Sequence, residues 1–275
     1  MTKLLCTDIQ QLFKIKVFHI VILVLPLFSA AMMAISYFYA KNTGYEPMIF
    51  DNFYFQLAPN LSTFFAIVTS FFIGTQYNDG TLRNKVVIGH TRTSIYISNL
   101  LTSILASFLL VAVWLIGGLA GIPLLGTLQM NALTFIEYLI VCLFFSCSLT
   151  AIFTLIGMLS QNKAATAVIS IIFSILLTIY TNKICGNIQQ PEYIDTILTN
   201  VHGIRVPVTC LNPRYIGGIK RVIGEAVLDI LPTGQASLMG TLAITRPALQ
   251  IISSITLTIL ISAIGISIFK KKDLK

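Results

Sequence analysis

The chain has 275 residues, of which 56% are hydrophobic and only 10% charged, and its mean hydropathy is +0.86. A soluble domain carries about 25% charged residues, so this composition excludes one and indicates an integral membrane protein built of helices. The net charge of +8 does not indicate a nucleic-acid partner, because the basic residues concentrate beside the ends of apolar runs, where they set orientation.

The amino-terminal segment Leu4–Val17 predicts an amphipathic helix that lies on the membrane surface. Its residues at helical spacing are Leu5, Ile9, Leu12, Phe13 and Lys16. The alternative interpretation is an amino-terminal extension of the first membrane span. The apolar stretch that follows is too long for the core of a cleavable signal peptide, so we expect a retained anchor.

Six apolar segments are long enough to span a bilayer as helices. They cover residues of about 18–40, 60–77, 97–122, 135–159, 164–182 and 248–269. The predicted fold is therefore an all-α membrane protein in which residues 1–275 form one transmembrane domain. The loop after the first span carries aromatic residues that suit the headgroup interface, namely Tyr45, Phe50, Phe53, Tyr54 and Phe55.

The loop between the second and third spans, about residues 78–96, is polar and basic. Asn78, Asp79 and Gly80 form a turn signal, since Asn and Asp bond their own backbone and Gly accepts positive φ. Thr81–Ile88 then predicts a short helix that Gly89 ends. A short amphipathic helix between two spans suits a surface that meets another protein.

The stretch Phe71–Leu101 carries the pattern G-T-x-Y-x-x-G-T-L-R-N-K, then G-x-T-R and an aromatic residue before a long span. This pattern resembles permease subunits of ABC transporters, specifically the ABC-2 type exporters. The resemblance implies a cytoplasmic loop whose coupling helix sits in a groove of a separate subunit, which binds ATP and Mg and hydrolyses the ATP. Gln76 stands where relatives often carry Glu.

The resemblance implies partners as well: two copies of the ATPase subunit, and a second copy of this permease or a homologous one. We expect Arg83 and Lys85 to meet acidic or carbonyl groups of the ATPase, while Leu82 and Val86 fill its apolar groove. The residues expected to couple the two chains are Asp79, Gly80, Thr81, Leu82, Arg83, Asn84, Lys85, Val86 and Arg92.

Basic residues predict the orientation of the spans. Eleven Lys and Arg lie in the segments on one side: Lys3, Lys14, Lys16, Arg83, Lys85, Arg92, Lys163, Lys270, Lys271, Lys272 and Lys275. The two short loops opposite hold only Lys41. Both termini and the loop 78–96 are therefore predicted to be cytoplasmic. In the third span, Gly117 and Gly121 have the small-xxx-small spacing that allows close helix packing.

The predicted extracellular loop 183–247 is too long for a plain connector. Residues 219–231 predict a helix whose apolar face consists of Ile219, Val222, Ile223, Ala226, Val227, Ile230 and Leu231. Leu231-Pro232 and Thr233-Gly234 are expected to break this helix. A short apolar piece, Ala236–Ile244, follows and is expected to re-enter the membrane. The sequences NPRY and LPTGQ in this loop also resemble the family, in which short external helices roof the dimer cavity.

Cys185 and Cys210 share this outer loop, where oxidation to a disulfide is expected. Zinc is not expected, because no pair of His or Cys residues has ligand spacing. The chain has no P-loop, H-E-x-x-H motif or nucleophile elbow, so we expect a transport subunit and no enzyme.

The expected function is export of a hydrophobic or amphipathic substrate, such as an antimicrobial peptide, an antibiotic or a lipid-like molecule, across a bacterial plasma membrane. Two alternatives remain open at this point. One is a channel or carrier that needs no ATPase, which predicts ionisable groups deep within spans. The other is a membrane immunity or scaffold protein that binds a peptide without transporting it.

Overall fold

The computed structural model describes residues 1–43, 50–126, 128–199 and 205–272. Within these residues there are twelve α-helices and two strands. The long helices are α2 (Lys16–Thr43), α4 (Leu61–Asn78), α6 (Arg92–Gly118), α8 (Ala132–Leu159), α9 (Lys163–Ile188) and α12 (Pro247–Lys271). The shorter elements are α1 (Thr2–Lys14), α3 (Phe50–Gln56), α5 (Thr81–Val87), α7 (Ile122–Leu125), β1 (Tyr193–Thr199), β2 (Arg205–Leu211), α10 (Gly218–Ile230) and α11 (Pro232–Gly240).

Six helices within the described residues are long and apolar enough to cross a membrane. They correspond one for one to the six predicted spans, so the prediction of a helical, multi-pass membrane protein is confirmed at this level. The boundaries differ in two places. The third helix already begins at Arg92, and the fifth continues to Ile188, so the loop 78–96 and the loop 183–247 are both shorter than predicted.

The amino-terminal helix α1 is a separate element and not an extension of the first span, because Ile15 has an extended backbone (φ −79°, ψ 117°). Its buried side differs from the predicted apolar face. Leu4, Asp8 and Leu12 lie one turn apart and are buried. Phe13, which we predicted on the apolar face, is 46% exposed. The helix therefore packs on the bundle through a stripe that contains a carboxylate.

The aromatic residues of α3 lie in the protein core and not at a headgroup interface, which corrects the prediction for them. Phe50, Phe53, Tyr54 and Phe55 are each at most 2% exposed. The Tyr54 ring stacks on Trp114 with 5.3 Å between centroids, and the Tyr54 hydroxyl donates to the Leu115 carbonyl at 2.8 Å. Tyr45 lies outside the described residues. This cluster joins α3 to the carboxyl-terminal half of α6.

The segment after α9 contains an antiparallel β-hairpin that the all-α prediction did not include. Tyr193 of β1 pairs with Leu211 of β2, and Thr199 pairs with Arg205. The Asn212 side chain closes the base of the hairpin, since its amide donates to the Pro191 carbonyl at 3.1 Å.

Helix α10 has the predicted position, and its predicted apolar face is mostly exposed rather than packed on the protein. Ile219, Val222 and Ile223 of its apolar face are 79%, 65% and 57% exposed, while Leu228 and Asp229 are buried. The predicted break is observed at Leu231, whose backbone is extended (φ −76°, ψ 132°). Pro232 then begins helix α11 as its first residue, where its missing N–H costs nothing. Helix α11 ends at Gly240, earlier than the predicted piece 236–244, and is almost wholly buried.

The bundle has two distinct ends. The basic end, as we name it, holds α1, α5 and the carboxyl terminus of α12, because Ser98 contacts Asp8 and Arg92 contacts the Phe269 carbonyl. The hairpin end holds α3, the β-hairpin, α10 and α11. Both termini of the described chain therefore lie at the same end as α5.

Candidate functional site

Helix α5 is held between α4 and α6 by two glycines with positive φ. Gly80 precedes the helix at φ +67°, and Gly89 follows it at φ +100°. L-residues rarely adopt such values, so glycine is required at both turns. The predicted helix Thr81–Ile88 is observed as Thr81–Val87.

Hydrogen bonds close the end of α4 before α5 and the end of α5 itself. The Thr81 hydroxyl donates to the Gln76 carbonyl at 3.0 Å, and the exposed Asp79 ends α4 through its N–H to Thr75 at 2.9 Å. After the helix, Gly89 donates to the Val86 carbonyl and His90 to the Lys85 carbonyl, at 3.0 and 3.1 Å. This pair of bonds is a Schellman cap, which fixes the carboxyl end of the helix.

The exposed apolar residues of this surface are not the ones that we predicted. Leu82 is 1% exposed and Val86 is half-buried against the protein's own core. Val87 and Ile88 are instead 78% and 76% exposed. Arg83 and Asn84 are exposed as well. We name Arg83, Asn84, Val87 and Ile88 the α5 surface; it joins one cation to two adjacent large apolar side chains.

Lys85 is engaged inside the protein and is not free to meet a partner, which corrects the role predicted for it. Its ammonium group forms a salt bridge with Asp8 of α1, with side-chain exposures of 12% and 0%. It also donates to the Gln76 amide oxygen at 2.9 Å, and the Ser98 hydroxyl donates to Asp8 at 2.5 Å. Burial lowers the pKa of Lys85, and the Asp8 carboxylate opposes that shift. The cluster ties α5 to α1, α4 and α6.

Gln76 is buried on α4 beside the Lys85 ammonium group. Its amide oxygen accepts from Lys85, while its amide nitrogen is buried without a hydrogen-bond partner. The carboxylate that neutralises Lys85 comes from Asp8, which is 77 residues away in the chain. A carboxylate from α1 thus shares Lys85 with the amide oxygen of Gln76 on α4.

Arg92 is also used inside the protein, where we predicted a contact with the ATPase. Its guanidinium donates to the carbonyls of Phe269 and Lys270 at 3.2 and 3.3 Å, and also to the Lys272 carbonyl. These carbonyls form the last turn of α12, whose partial negative charge favours a cation. Lys272 in turn donates to the Met158 carbonyl at 3.0 Å, at the end of α8.

Glycines allow close contacts between the long helices. A Cβ at Gly117 would lie 2.6 Å from the Cα of Pro26, so α6 and α2 touch at the backbone there. Gly121 lies against the Met33 side chain. Gly74, the first residue of the loop pattern, lies against the Lys163 backbone at the start of α9, where a Cβ would be 2.9 Å from the Lys163 Cα.

Cys185 and Cys210 are both free thiols in this structure. Cys185 is buried at the end of α9, where its sulfur lies 3.6 Å from the Thr241 hydroxyl. Cys210 is half-buried on β2, opposite Ile194. The disulfide between them stays a prediction. Among the residues that the structure describes, no group of three His, Cys, Asp or Glu side chains is placed to hold a metal ion.

The sequence-based reasoning missed Asp8, Val87 and Ile88. A signal for Asp8 was present, because it is the only acid in α1 and falls midway between Leu4 and Leu12 at four-residue spacing. For Val87 and Ile88 the signal was weaker. They are two consecutive apolar residues immediately before a turn glycine, and one face of a short helix cannot bury both.

Compared with the models of known protein families and with curated proteins, the chain matches none of them. The likeness to ABC-2 permeases therefore depends on the loop pattern between Gly74 and Arg92 and on the short sequences NPRY and LPTGQ.

Proposed function

We propose that this chain is the transmembrane permease subunit of an ABC-2 type exporter in a bacterial plasma membrane. It works as a pair, with a second copy or a homologous permease, and two separate ATPase chains bind ATP and Mg and drive the pair. Three lines of support are the loop pattern, the six apolar helices and the α5 surface at the basic end.

The single observation that carries this proposal is the exposure of Val87 and Ile88 beside Arg83. The exposed polar residues Arg83 and Asn84 lie one helical turn before the two apolar side chains, which makes a lipid environment unfavourable for this turn. Full burial of a Val or Ile side chain is worth about 1.5–3 kcal/mol. Binding of both residues in a groove of another protein is therefore stabilised by this burial. Arg83 can contact an acidic side chain or a carbonyl at the edge of that groove.

The anchoring of α5 supports a mechanical role for it. A partner that pushes on Val87 and Ile88 acts on a helix that Lys85 ties to Asp8, Gln76 and, through Asp8, to Ser98. Displacement of α5 therefore carries α1, α4 and α6 with it. Rigid-body switching of the paired permeases between inward-open and outward-open states is the response expected of such a lever.

The basic end is cytoplasmic in this proposal, because Lys and Arg concentrate there. The substrate is hydrophobic or amphipathic: an antimicrobial peptide, an antibiotic or a lipid-like molecule. Several polar contacts between spans are made by hydroxyl groups, such as the Ser62 and Thr178 hydroxyls at 2.9 Å. An ion-coupled carrier is expected instead to place ionisable groups in the spans.

A matched pair of double variants tests the proposal. Val87→Ser with Ile88→Ser alters the α5 surface, while Val222→Ser with Ile223→Ser alters the same pair of residue types at the hairpin end, where exposures are 65% and 57%. The ATPase that copurifies with the tagged chain is reconstituted with each variant in nanodiscs. We expect the α5 variant to lose at least 90% of the ATPase copurification and stimulation, and the control to keep both.

Normal ATPase binding and stimulation in the Val87→Ser, Ile88→Ser variant contradicts the coupling role. If the tagged chain retains no nucleotide-binding partner at all, a scaffold or immunity protein becomes the better account. Leu82 is unsuitable for this test, because it is buried in the protein's own core and its loss changes folding.

A further inference from the structure

A cavity of about 510 Å³ lies at the hairpin end, between the end of α9, the polar side of α10, α11 and the start of α12. This volume falls in the range of about 300–1,000 Å³ that small-ligand sites occupy. The apolar part of the cavity wall is formed by Ile188, Leu228 and Leu238. The mouth is formed by exposed residues, among them Gln189, Pro191 and Thr245.

Two carboxylates on one face of α10 point at a single guanidinium inside this cavity. Glu225 Oε2 lies 3.9 Å from Arg246, and Asp229 Oδ2 lies 3.7 Å from it. Both distances exceed those of a hydrogen bond, about 2.7–3.2 Å. The other oxygen of each carboxylate is already bound, Glu225 Oε1 by Arg221 at 3.1 Å and Asp229 Oδ1 by Gln250 at 2.9 Å. One oxygen of each carboxylate therefore has no hydrogen-bonded partner among the described residues and lies within 4 Å of the Arg246 guanidinium.

The polar network behind Asp229 holds it in place. Its side chain is only 6% exposed, whereas that of Arg246 is 57% exposed. The Asp229 carbonyl accepts from the Gln235 amide and from the Ser253 hydroxyl, both at 2.9 Å. Gln235 also accepts from Ser254 at 2.8 Å. The carboxylate is thus fixed and buried, while the cation opposite it lies half in solvent.

The charges around the cavity do not cancel. Glu192, Glu225 and Asp229 face Arg221 and Arg246, which leaves a net charge of about −1 with all five ionised. Arg246 makes no hydrogen bond to either carboxylate, so a cation with better geometry can displace it toward solvent. An anion, in contrast, meets an excess of carboxylates.

We propose that this cavity binds a cationic amphipathic molecule. Its ammonium group takes the point between Glu225 Oε2 and Asp229 Oδ2, from which Arg246 swings outward. Its apolar body lies on Ile188, Leu228 and Leu238. The site needs no ATPase, and its test is independent of the proposed function.

The test is equilibrium binding to the full chain in phosphatidylcholine nanodiscs, followed by fluorescence anisotropy. The probe is the tripeptide Leu-Lys-Leu with a dansyl group at its amino end and an amide at its carboxyl end, which leaves one positive charge. The matched probes carry norleucine or Glu in place of Lys, and empty nanodiscs give the lipid background. We expect saturable binding of the Lys probe, at least 10-fold tighter than that of the norleucine probe and weaker at higher salt.

Two sets of variants separate this proposal from a site for anions. Glu225→Gln and Asp229→Asn, alone and together, are expected to weaken Lys-probe binding, the double variant by at least 10-fold. Asn at position 229 keeps an oxygen for Gln250, and unchanged elution and helicity check the fold. Arg246→Gln is expected to tighten Lys-probe binding several-fold, because it removes the competing cation. Weaker binding in Arg246→Gln, equal binding of the norleucine probe or no saturable binding overturns the proposal.

Discussion

The carboxylate of Asp8 in α1 and the ammonium group of Lys85 in α5 form a buried salt bridge across 77 positions of the chain. It joins the amino-terminal helix to the helix that we propose meets the ATPase. Removal of one partner of a buried pair costs about 3–5 kcal/mol, since the other charge stays buried and unpaired. We therefore expect Asp8→Asn to lower the free energy of unfolding by about 3 kcal/mol, measured by denaturation in detergent.

A compensating change tests the same cluster more sharply. Gln76 already accepts from Lys85 at 2.9 Å, so Gln76→Glu supplies a carboxylate to Lys85 when Asp8 is neutral. We expect the double variant Asp8→Asn, Gln76→Glu to recover most of the lost stability, while Gln76→Glu alone crowds two carboxylates and is no more stable than the parent chain. A double variant as unstable as Asp8→Asn disproves the direct role of Lys85 as the shared partner.

Arg92 is expected to hold the last turn of α12. Arg92→Ala removes the cation from the carbonyls of Phe269 and Lys270 and is expected to cost up to about 2 kcal/mol locally. Hydrogen exchange of a peptide that covers 262–272 measures this, and we expect faster exchange there than in the parent chain. Arg83→Ala, at an exposed site on α5, is the control and is expected to leave exchange in α12 unchanged. Equal exchange in the Arg92→Ala and Arg83→Ala variants counts against the contact between Arg92 and α12.

Close packing of α6 on α2 is expected to depend on Gly117. Gly117→Ala places a methyl group 2.5 Å from the Pro26 side chain and 2.6 Å from its backbone. Overpacking of this kind costs typically 1–3 kcal/mol, so the melting temperature in detergent falls. Gly186→Ala is the matched control, because its Cβ meets nothing within 4 Å and Ala favours a helix. A drop in Gly186→Ala as large as that in Gly117→Ala shows that the contact is not the cause.

The sides of the membrane are tested by cysteine labelling in intact cells, after Cys6 and Cys210 are changed to Ser. Ile88→Cys and Ile219→Cys place thiols at sites that are 76% and 79% exposed. With an impermeant maleimide, we expect position 219 to react in intact cells and position 88 only after permeabilisation, because we propose that the basic end is cytoplasmic. The reverse pattern contradicts the proposed orientation.

The parts of the fold that the sequence predicted correctly depend on local signals. Apolar length identifies the six long helices, and the turn glycines Gly80 and Gly89 frame α5 by their positive φ. The separate start of the first span at Lys16 follows from the amphipathic pattern of α1. None of these features requires knowledge of what lies next to them in space.

The errors concern residues whose environment is set by distant parts of the chain. We predicted that Lys85 contacts the ATPase. Its salt-bridge partner within the fold, Asp8, is 77 positions away in the chain, so no local pattern connects the two residues. Tyr54 lies in the core because Trp114 of α6 covers it. Helix α10 shows that periodicity identifies an apolar face without telling whether protein or lipid covers it, since lipid tails are as apolar as Leu. The side of α10 that packs on the protein is the side that carries Asp229, which binds the Gln250 amide.

Photo-crosslinking at Val87 tests the central claim most directly. The chain carries p-benzoylphenylalanine at position 87, or at position 222 as the control at the hairpin end, and is irradiated in cells before purification. We predict a crosslinked product at position 87 alone, whose second chain contains a P-loop and binds ATP. If position 87 crosslinks only to lipid, or to a protein that binds no nucleotide, α5 does not contact an ATPase and the proposed function is wrong.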